Sequence, residues 1–335
     1  MRIRFTFTVI PVVLALVAAV ALFAASGGLI SGRGSPGNSN FGTPSSGGRS
    51  PEVGPVTEPV PPNLGLPWPD EGQASVLVEG LGKRGDLGTK GQQTPVPIAS
   101  ITKVMTAYVV LQDHPLRGDE PGPDITVDQE AAAESYSADE STAPVILGER
   151  ISERRLLELM LIPSGNNIAR LLARWDAGSQ QAFAAKMNRA ARTLGMDQTT
   201  YTGASGVEPI TTSTSADQLK LAQQAMRYEA FRTIVDQSAT TSPGVPGRLL
   251  NTNSLLGKDG VIGIKTGSST PAGGTLIWAA TAPDASGHSR LILGVVLGQS
   301  PGVNPEEGLS AVIDSSRKLV DGVRRWLSTT EPGTR

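Results

Sequence analysis

Runs with β-strand character lie at both ends of the part of this chain that can fold, and runs with helical periodicity lie between them. The strand-like runs, rich in Val, Ile and Leu, are residues 74–79, 260–265, 275–282 and 290–298. The runs with apolar residues at helical spacing are residues 100–108, 152–175, 180–194, 215–228 and 305–327. We therefore expect a mixed α and β protein whose last helix packs on the back of a sheet.

Glycine and proline positions refine this prediction. Residues 91–95 follow a Gly-rich loop and are expected to form a hairpin with the first strand-like run. A helix is expected to begin at Ser100. Pro163 lacks the N–H that a helix interior needs, so it is expected to end a helix and to place Ser164 and Asn166 in a connecting loop.

Composition limits the classes of partner. The chain has 335 residues and a net charge of −2, enough for one large domain with appendages and without a basic field for nucleic acid. It contains no cysteine, which excludes disulfides, thiolate metal sites and a lipid-modified cysteine. Its two histidines, His114 and His288, are interpreted as solvated rather than catalytic.

The N-terminus predicts export. Arg2 and Arg4 supply positive charge, the next charged residue is Arg33, and residues 9–25 are almost wholly apolar. That length is short for a spanning helix and slightly long for a signal-peptide core. Residues 1–30 are therefore predicted to be a signal peptide or, as the favoured alternative, an N-terminal membrane anchor. Both place the remaining chain outside the cytoplasm, at the extracytoplasmic face of the membrane or beyond it.

Three further boundaries follow from composition. Residues 31–72 are rich in Gly, Ser and Pro and are predicted to be a disordered linker. Residues 73–328 are predicted to form the folded domain, and residues 329–335 a short tail.

Three short elements carry the chemistry of the chain, and they occur in one order. They are Ser100-Ile101-Thr102-Lys103, Ser164-Gly165-Asn166 and Lys265-Thr266-Gly267. The first pattern is common by chance, and residues 315–318 repeat it without later partners. The other two each occur once, so their order and wide spacing behind Ser100 indicate a serine acyl-transfer site.

The first element contains a nucleophile and a base. A serine hydroxyl must lose its proton as it attacks, so a base must lie within hydrogen-bond reach. Residues three apart on a helix share one face, which places Lys103 beside Ser100. Lysine is ordinarily protonated near neutral pH. Burial and a second cation, for which Lys265 is the candidate, would favour the neutral, basic form of Lys103.

Together these elements resemble the penicillin-recognising serine enzymes, and more narrowly the low-molecular-mass penicillin-binding proteins, the D-alanyl-D-alanine carboxypeptidases. The resemblance covers residues 74–300 and includes the flanks of the motifs, residues 97–107 and 161–167. Gly165 stands where class A β-lactamases usually carry Asp. The resemblance implies an α/β (α+β) fold of the β-lactamase and DD-peptidase type, with an antiparallel sheet flanked by helices and a helical subdomain. Little more than one helix follows the last strand-like run, so no extra C-terminal β-domain of the kind that some carboxypeptidases carry is expected. The resemblance implies no metal and no cofactor.

The resemblance also implies catalytic roles. Ser100 would be the nucleophile, Lys103 the base for acylation, and Ser164 a relay of the proton to the leaving nitrogen. The backbone N–H groups of Ser100 and Ser268 would form the oxyanion hole, in which each donor is worth about 3–4 kcal/mol in comparable enzymes.

The remaining motif residues would bind substrate. Asn166 would hydrogen-bond the amide of the substrate and Lys103. Lys265 would provide positive charge for the terminal carboxylate of the substrate, and Thr266 a hydroxyl. Gly267 would let the strand approach the ligand closely.

The expected reaction is removal of the terminal D-alanine from peptidoglycan stem pentapeptides, with β-lactams as covalent inhibitors. Many carboxypeptidases also carry a basic residue just before the third motif. Residues 251–256 contain none, and Arg248 and Lys258 are the nearest candidates for holding the carboxylate.

Three alternatives remain open at this point. A class A β-lactamase uses a glutamate in a Glu-x-x-x-Asn setting between the second and third motifs, and no acid between Ser164 and Lys265 has Asn four residues on. A non-catalytic cell-wall scaffold of the same fold is disfavoured because all the catalytic side chains are present. An endopeptidase or transpeptidase acting on crosslinked stem peptides shares the motifs.

Overall fold

A computed structural model describes residues 64–207 and 210–330. The strands are β1 Gln73–Val78, β2 Asp86–Lys90, β3 Val96–Pro97, β4 Asp124–Thr126, β5 Arg150–Ser152, β6 Thr212–Ser213, β7 Ala239–Thr240, β8 Leu249–Leu250, β9 Val261–Ser269, β10 Gly273–Pro283 and β11 Ser289–Gln299. The α-helices are α1 Thr102–Asp113, α2 Gln129–Glu134, α3 Glu153–Leu161, α4 Asn166–Ala177, α5 Gln180–Thr193, α6 Ser215–Ala225, α7 Glu229–Val235 and α8 Pro305–Ser328.

One antiparallel sheet organises the domain. Its strand order is β2-β1-β11-β10-β9, so the strand nearest the N-terminal end of the described chain lies between the hairpin partner β2 and the late strand β11. Ala74 lies opposite Val296, and Leu276 lies opposite Thr266 on the edge strand β9. The mixed fold with an antiparallel sheet is confirmed.

Helix α8 covers one face of the sheet. Its Val312, Leu319 and Val323 are buried together with Leu276 and Val296 of the sheet. Because side chains alternate between the two faces of a strand, the strand residues of this cluster lie on one face of the sheet. The three helical residues lie on the side of α8 that packs against that face. The prediction that the last helix packs on the back of the sheet is confirmed.

The residues ahead of β1 also join this layer. Leu66 is buried in the same cluster. A Cβ placed on Gly322 of α8 would lie 2.2 Å from Pro67, so a side chain there would displace this segment. The folded region therefore includes residues ahead of Gln73 that the linker prediction contained.

The other face of the sheet carries the helical layer. Helix α1 is buried on nearly all sides, because its ten consecutive residues from Thr102 to Leu111 are all buried. A helix surrounded in this way sits at the centre of a packed layer. It lies among α3, α4, α5 and α6, and this burial holds the first motif rigidly.

Several local predictions need correction. The partner of β1 is β2, with Ala74 opposite Lys90, and not residues 91–95. A 3₁₀ turn shortens the connection, and the strand ends at Lys90. A Cβ on the next residue, Gly91, would lie 2.1 Å from the carbonyl of Gly72. The run at 215–228 is helix only as far as Ala225, and α7 follows as a separate helix that the sequence analysis did not predict.

The first two motifs also differ locally from prediction. Ser100 belongs to a 3₁₀ turn, Ala99–Ile101, and the α-helix begins at Thr102. Ala99 has a left-handed backbone with φ of 46°, which a regular α-helix does not allow. Asn166 is the first residue of α4 and not part of the loop, because the helix resumes directly after Gly165.

Other predictions fall on residues that lie outside those described: the signal peptide or anchor at 1–30, residues 31–63 of the linker, and residues 331–335 of the tail. No helix within residues 64–207 or 210–330 combines the length and apolar character needed to cross a bilayer.

Candidate active site

The first motif places an amine against a hydroxyl. Lys103 lies in the first turn of α1, and its Nζ donates a hydrogen bond of 2.8 Å to Ser100 Oγ. The Lys103 side chain is fully buried, and Nζ also donates 2.9 Å to the carbonyl of Ser205. The side chains of Ser100 and Lys103 are therefore in contact as the spacing predicted, although Ser100 precedes the α-helix.

A glycine makes room for the turn that presents Ser100. Gly206 has φ of 84°, and a Cβ there would lie 2.0 Å from the carbonyl oxygen of Ala99. The Thr102 hydroxyl donates 2.8 Å to that same carbonyl oxygen. The left-handed residue ahead of Ser100 is thus held by a close contact and by a hydrogen bond.

The second motif reaches the first through Asn166. Its Oδ1 accepts a hydrogen bond of 2.5 Å from Lys103 Nζ, and its Nδ2 donates 2.8 Å to Glu140. Gly165 is tightly enclosed, since a Cβ there would lie 2.8 Å from the Leu159 carbonyl and 3.0 Å from Ala143. A side chain between Ser164 and Asn166 would therefore require its neighbours in this structure to shift.

Ser164 lies in the connection between α3 and α4, as predicted from Pro163. It is buried and has a left-handed backbone with φ of 69°. Its hydroxyl makes no hydrogen bond to any other described residue, so the structure does not link it directly to Ser100 or Lys103.

The third motif lies on the edge strand β9. Lys265 is buried, and its Nζ donates 2.9 Å to the carbonyl of Thr266. Burial lowers the pKa of Lys265 to about 7. The Thr266 hydroxyl lies 2.6 Å from the hydroxyl of Thr252.

Gly267 brings β9 against the turn that contains Ser100. A Cβ on Gly267 would lie 2.8 Å from the backbone nitrogen of Ser100 and 2.6 Å from Thr275 Oγ1. Thr275 of β10 in turn donates 3.1 Å to the carbonyl of Ile98. Only a residue without a side chain lets the edge strand and this turn come so close.

An open cleft of about 650 Å³ lies over these motifs. Its lining includes Ser100, Asn166, Ser268, Glu140, Val207 and Glu306. Lys103, Lys265 and Thr266 are buried around it. A ligand in the cleft would therefore meet the hydroxyl of Ser100 on one side and the end of β9 on another.

A model of the peptidase S11 family, described as D-alanyl-D-alanine carboxypeptidase, matches residues 73–300. The chain belongs to this family. A D-alanyl-D-alanine carboxypeptidase from Streptomyces sp. strain K15 is 35% identical over 228 residues, covering 63% of this chain and 75% of the relative. A D-alanyl-D-alanine endopeptidase from Pseudomonas aeruginosa is 33% identical over 239 residues, covering 68% and 73% of the two chains.

Solved structures agree with this assignment. The crystal structure of the Streptomyces K15 DD-transpeptidase superposes with a TM-score of 0.63 at 29% identity, covering 74% of this chain and 95% of that one. A penicillin-binding protein homologue from Mycobacterium tuberculosis gives 0.64 at 26% identity, covering 77% and 93%. The expected DD-peptidase-like fold is confirmed, and the chain is a member of the serine D-alanyl-D-alanine carboxypeptidases, which act on cell-wall peptidoglycan.

Sequence reasoning missed three residues of this carboxypeptidase-family site. Glu140 contacts Asn166, the Ser205 carbonyl accepts from Lys103, and Thr252 contacts Thr266. Thr252 lies within residues 74–300, over which the chain resembles the family, and that resemblance was the available signal. Glu140 lies in a polar stretch without a motif, and a backbone carbonyl leaves no trace in sequence.

The two candidate cations before the third motif are exposed. Neither Arg248 nor Lys258 belongs to the described residues that line the cleft. The position next to the third motif is instead occupied by Thr252, whose hydroxyl meets that of Thr266. The basic residue expected of many carboxypeptidases thus has no equivalent in residues 251–256.

Proposed function

We propose that this protein removes the terminal D-alanine from peptidoglycan stem pentapeptides through an acyl-enzyme on Ser100. The observation that carries the proposal is the contact of 2.8 Å between Lys103 Nζ and Ser100 Oγ inside a buried network. A neutral lysine amine at that distance can accept the proton of the attacking hydroxyl.

In the acylation step, Ser100 Oγ attacks the carbonyl carbon of the penultimate D-alanine while its proton passes to Lys103. The tetrahedral intermediate collapses as the C–N bond breaks, and the leaving nitrogen takes a proton, relayed by Ser164, so that D-alanine departs. Water then hydrolyses the ester and restores the hydroxyl of Ser100.

Two sets of groups would stabilise this path. The backbone N–H groups of Ser100 and Ser268 would hold the oxyanion, and the close approach of Gly267 to the Ser100 nitrogen supports that assignment. Lys265 and the Thr266 hydroxyl would bind the terminal carboxylate of the substrate. Asn166 would bind the peptide amide with the part of its side chain that faces the cleft.

The direct test is intact-mass spectrometry of the full chain after incubation with benzylpenicillin. A lasting penicilloyl adduct, mapped to Ser100 and absent from Ser100→Ala, is the expected result. Release of D-alanine from a stem pentapeptide by the same preparation is the second expected result. Hydrolysed drug without an adduct would instead indicate a β-lactamase, and intact drug without an adduct a scaffold.

The environment of Glu140 supports a long-lived adduct. Hydrogen bonds from Arg170 and Asn166 outweigh burial and hold the pKa of Glu140 below its ordinary value. A carboxylate engaged in this way is a poor base for activating a deacylating water. This acid of the cleft therefore does not favour rapid turnover of a penicilloyl ester.

An endopeptidase activity is a second candidate, because the Pseudomonas aeruginosa relative carries that name. The substrate would then be a stem peptide crosslinked through its terminal D-alanine. Crosslinked dimers and pentapeptide monomers supplied in equal amounts would separate the two activities by the products released.

We further propose that the protein is exported and held at the membrane by residues 1–30, with residues 31–63 as a tether. Export is supported by the family's action on cell-wall peptidoglycan. N-terminal sequencing of the mature protein from membrane and soluble fractions would distinguish an uncleaved anchor from a cleaved signal.

A further inference from the structure

The side-chain amide of Asn166 has two hydrogen-bond partners, and they require different atoms of the amide. Lys103 Nζ is a donor and needs the amide oxygen, which it reaches at 2.5 Å. Glu140 is an acceptor and needs the amide nitrogen, which it meets at 2.8 Å. An amide rotated by half a turn would set its NH₂ against the amine and its oxygen against the carboxylate. Glu140 therefore selects one of the two orientations of the amide.

The Glu140 carboxylate is itself fixed. Arg170 of α4 donates to both of its oxygens, at 2.8 and 2.7 Å, in a two-pronged pair. Both side chains are largely covered, at 17% and 12% exposure. Arg170 also lies 3.0 Å from Glu134, the last residue of α2. Bidentate pairs of this kind fix direction as well as adding energy.

The backbone near Glu140 is tied to the same helix. The Asn166 N–H donates 2.9 Å to the carbonyl of Ser141, next to Glu140. Asn167 accepts 3.0 Å from the Ala143 N–H. The loop that carries the carboxylate therefore moves with the start of α4, and the distance from Glu140 to the Asn166 amide is set by the fold.

We propose that Glu140 is a positioning residue for acylation, holding the Asn166 amide so that its oxygen faces Lys103 and its nitrogen side is fixed at the cleft wall. This inference rests on the proposed function. Asn166 Oδ1 then holds Lys103 Nζ in hydrogen-bond contact with Ser100 Oγ. The position of Asn166 Oδ1 depends in turn on the Glu140 carboxylate, which does not itself touch the reacting atoms.

The test compares Glu140→Ala and Glu140→Gln in the full chain, measured as the rate constant and the half-saturating concentration for acylation by benzylpenicillin. Alanine removes the acceptor, and the rate constant should fall by about 10- to 100-fold, the size expected for losing a hydrogen bond to a charged group. Glutamine keeps an oxygen that Arg170 and Asn166 can both donate to, so its rate constant should stay within about fivefold of wild type.

Glu134→Ala is the matched control, because Glu134 pairs with Arg170 without touching Asn166. It should acylate as wild type. If Glu140 served only as an ion-pair partner of Arg170, Glu140→Gln would be as slow as Glu140→Ala, and Glu134→Ala would be slowed as well; that pattern would overturn the proposal. Melting temperatures of all three variants identify any loss that comes from unfolding.

A double-mutant cycle gives a second, independent readout. In an Asn166→Ala background there is no amide to orient, so adding Glu140→Ala should cause no further loss of acylation rate. Additive losses would contradict a role through Asn166. A wild-type protein that neither acylates nor releases D-alanine would refute the proposed function, whereas an active wild type with an equally active Glu140→Ala would refute only the positioning role.

Discussion

The two sides of the active site hold their lysines differently. On the helical side, Lys103 donates hydrogen bonds to Ser100 Oγ, Asn166 Oδ1 and the Ser205 carbonyl. On the strand side, Lys265 is equally buried, but within the described part of the chain its ammonium group donates only to the carbonyl beside it. An amine with few acceptors is costly to charge in a buried place, and burial lowers the pKa of Lys265 to about 7.

The difference separates two tasks. The helical side is a network that is complete before substrate arrives, as preorganised catalytic groups are. The strand side has a buried lysine whose acceptor within the described residues is one carbonyl, and the carboxylate of a stem peptide would supply the anionic partner that it lacks. We infer that the helical side sets the rate of acylation and that the strand side sets which ligands are bound.

The largest effect should come from the helical side. Lys103→Ala removes the proposed base and the group that joins the two motifs, so acylation by benzylpenicillin should slow by several orders of magnitude. The measurement is the rate of adduct formation by mass spectrometry. Near-normal acylation in this variant would refute Lys103 as the base.

Lys318→Ala is the matched control for that prediction. Ser315 and Lys318 of α8 have the same spacing as Ser100 and Lys103, but Lys318 is exposed on the far side of the sheet. Its variant should acylate at the wild-type rate. A slower acylation rate in Lys318→Ala would mean that the effect of Lys103→Ala cannot be assigned to the buried network alone.

The next effect should come from the strand side and should appear in binding. Lys265→Met keeps a long side chain without charge, and kcat/KM for D-alanine release from a pentapeptide should fall by about 10- to 100-fold, the cost of losing a charged hydrogen bond. A pentapeptide with a C-terminal amide lacks the carboxylate, so the wild type and the variant should process it equally poorly. A variant that still prefers the free acid by the wild-type margin would contradict this role for Lys265.

Much of this site was predictable from sequence because its chemistry is carried by short motifs. The spacing of Ser100 and Lys103 survives whether the turn is α or 3₁₀, and Pro163 correctly marked the break before Ser164. Glu140 could not be predicted, because it meets Asn166 only after two distant segments pack together. The prediction that Asn166 lies in the loop was wrong, because Asn166 is the first residue of α4. A proline shows where a helix ends but not where the next helix begins.

The strand side should also respond to pH near neutrality. With a pKa of about 7 in the free protein, Lys265 is mostly charged at pH 6 and mostly neutral at pH 8. If only the charged form binds the carboxylate, affinity should fall by about tenfold over that interval as pH rises. Calorimetry of a stem pentapeptide with Ser100→Ala, which cannot turn over, measures this directly. In Ser100→Ala combined with Lys265→Met the affinity should be low and independent of pH; a retained pH dependence would assign the titration to another group.

The smallest effect should come from Thr252, which joins the two sides. Its N–H donates 3.2 Å to the carbonyl of Ile162, just before the second motif, and its hydroxyl lies 2.6 Å from that of Thr266 in the third. Thr252→Val keeps the shape and removes the hydroxyl, which leaves Thr266 without this partner and should lower kcat/KM for the pentapeptide by about fivefold, as for one neutral hydrogen bond. Thr252→Ser should restore most of the loss because the backbone contact and the hydroxyl both remain. If valine matches the wild type, Thr266 is oriented by the strand alone, and the two sides of the site are mechanically independent at this position.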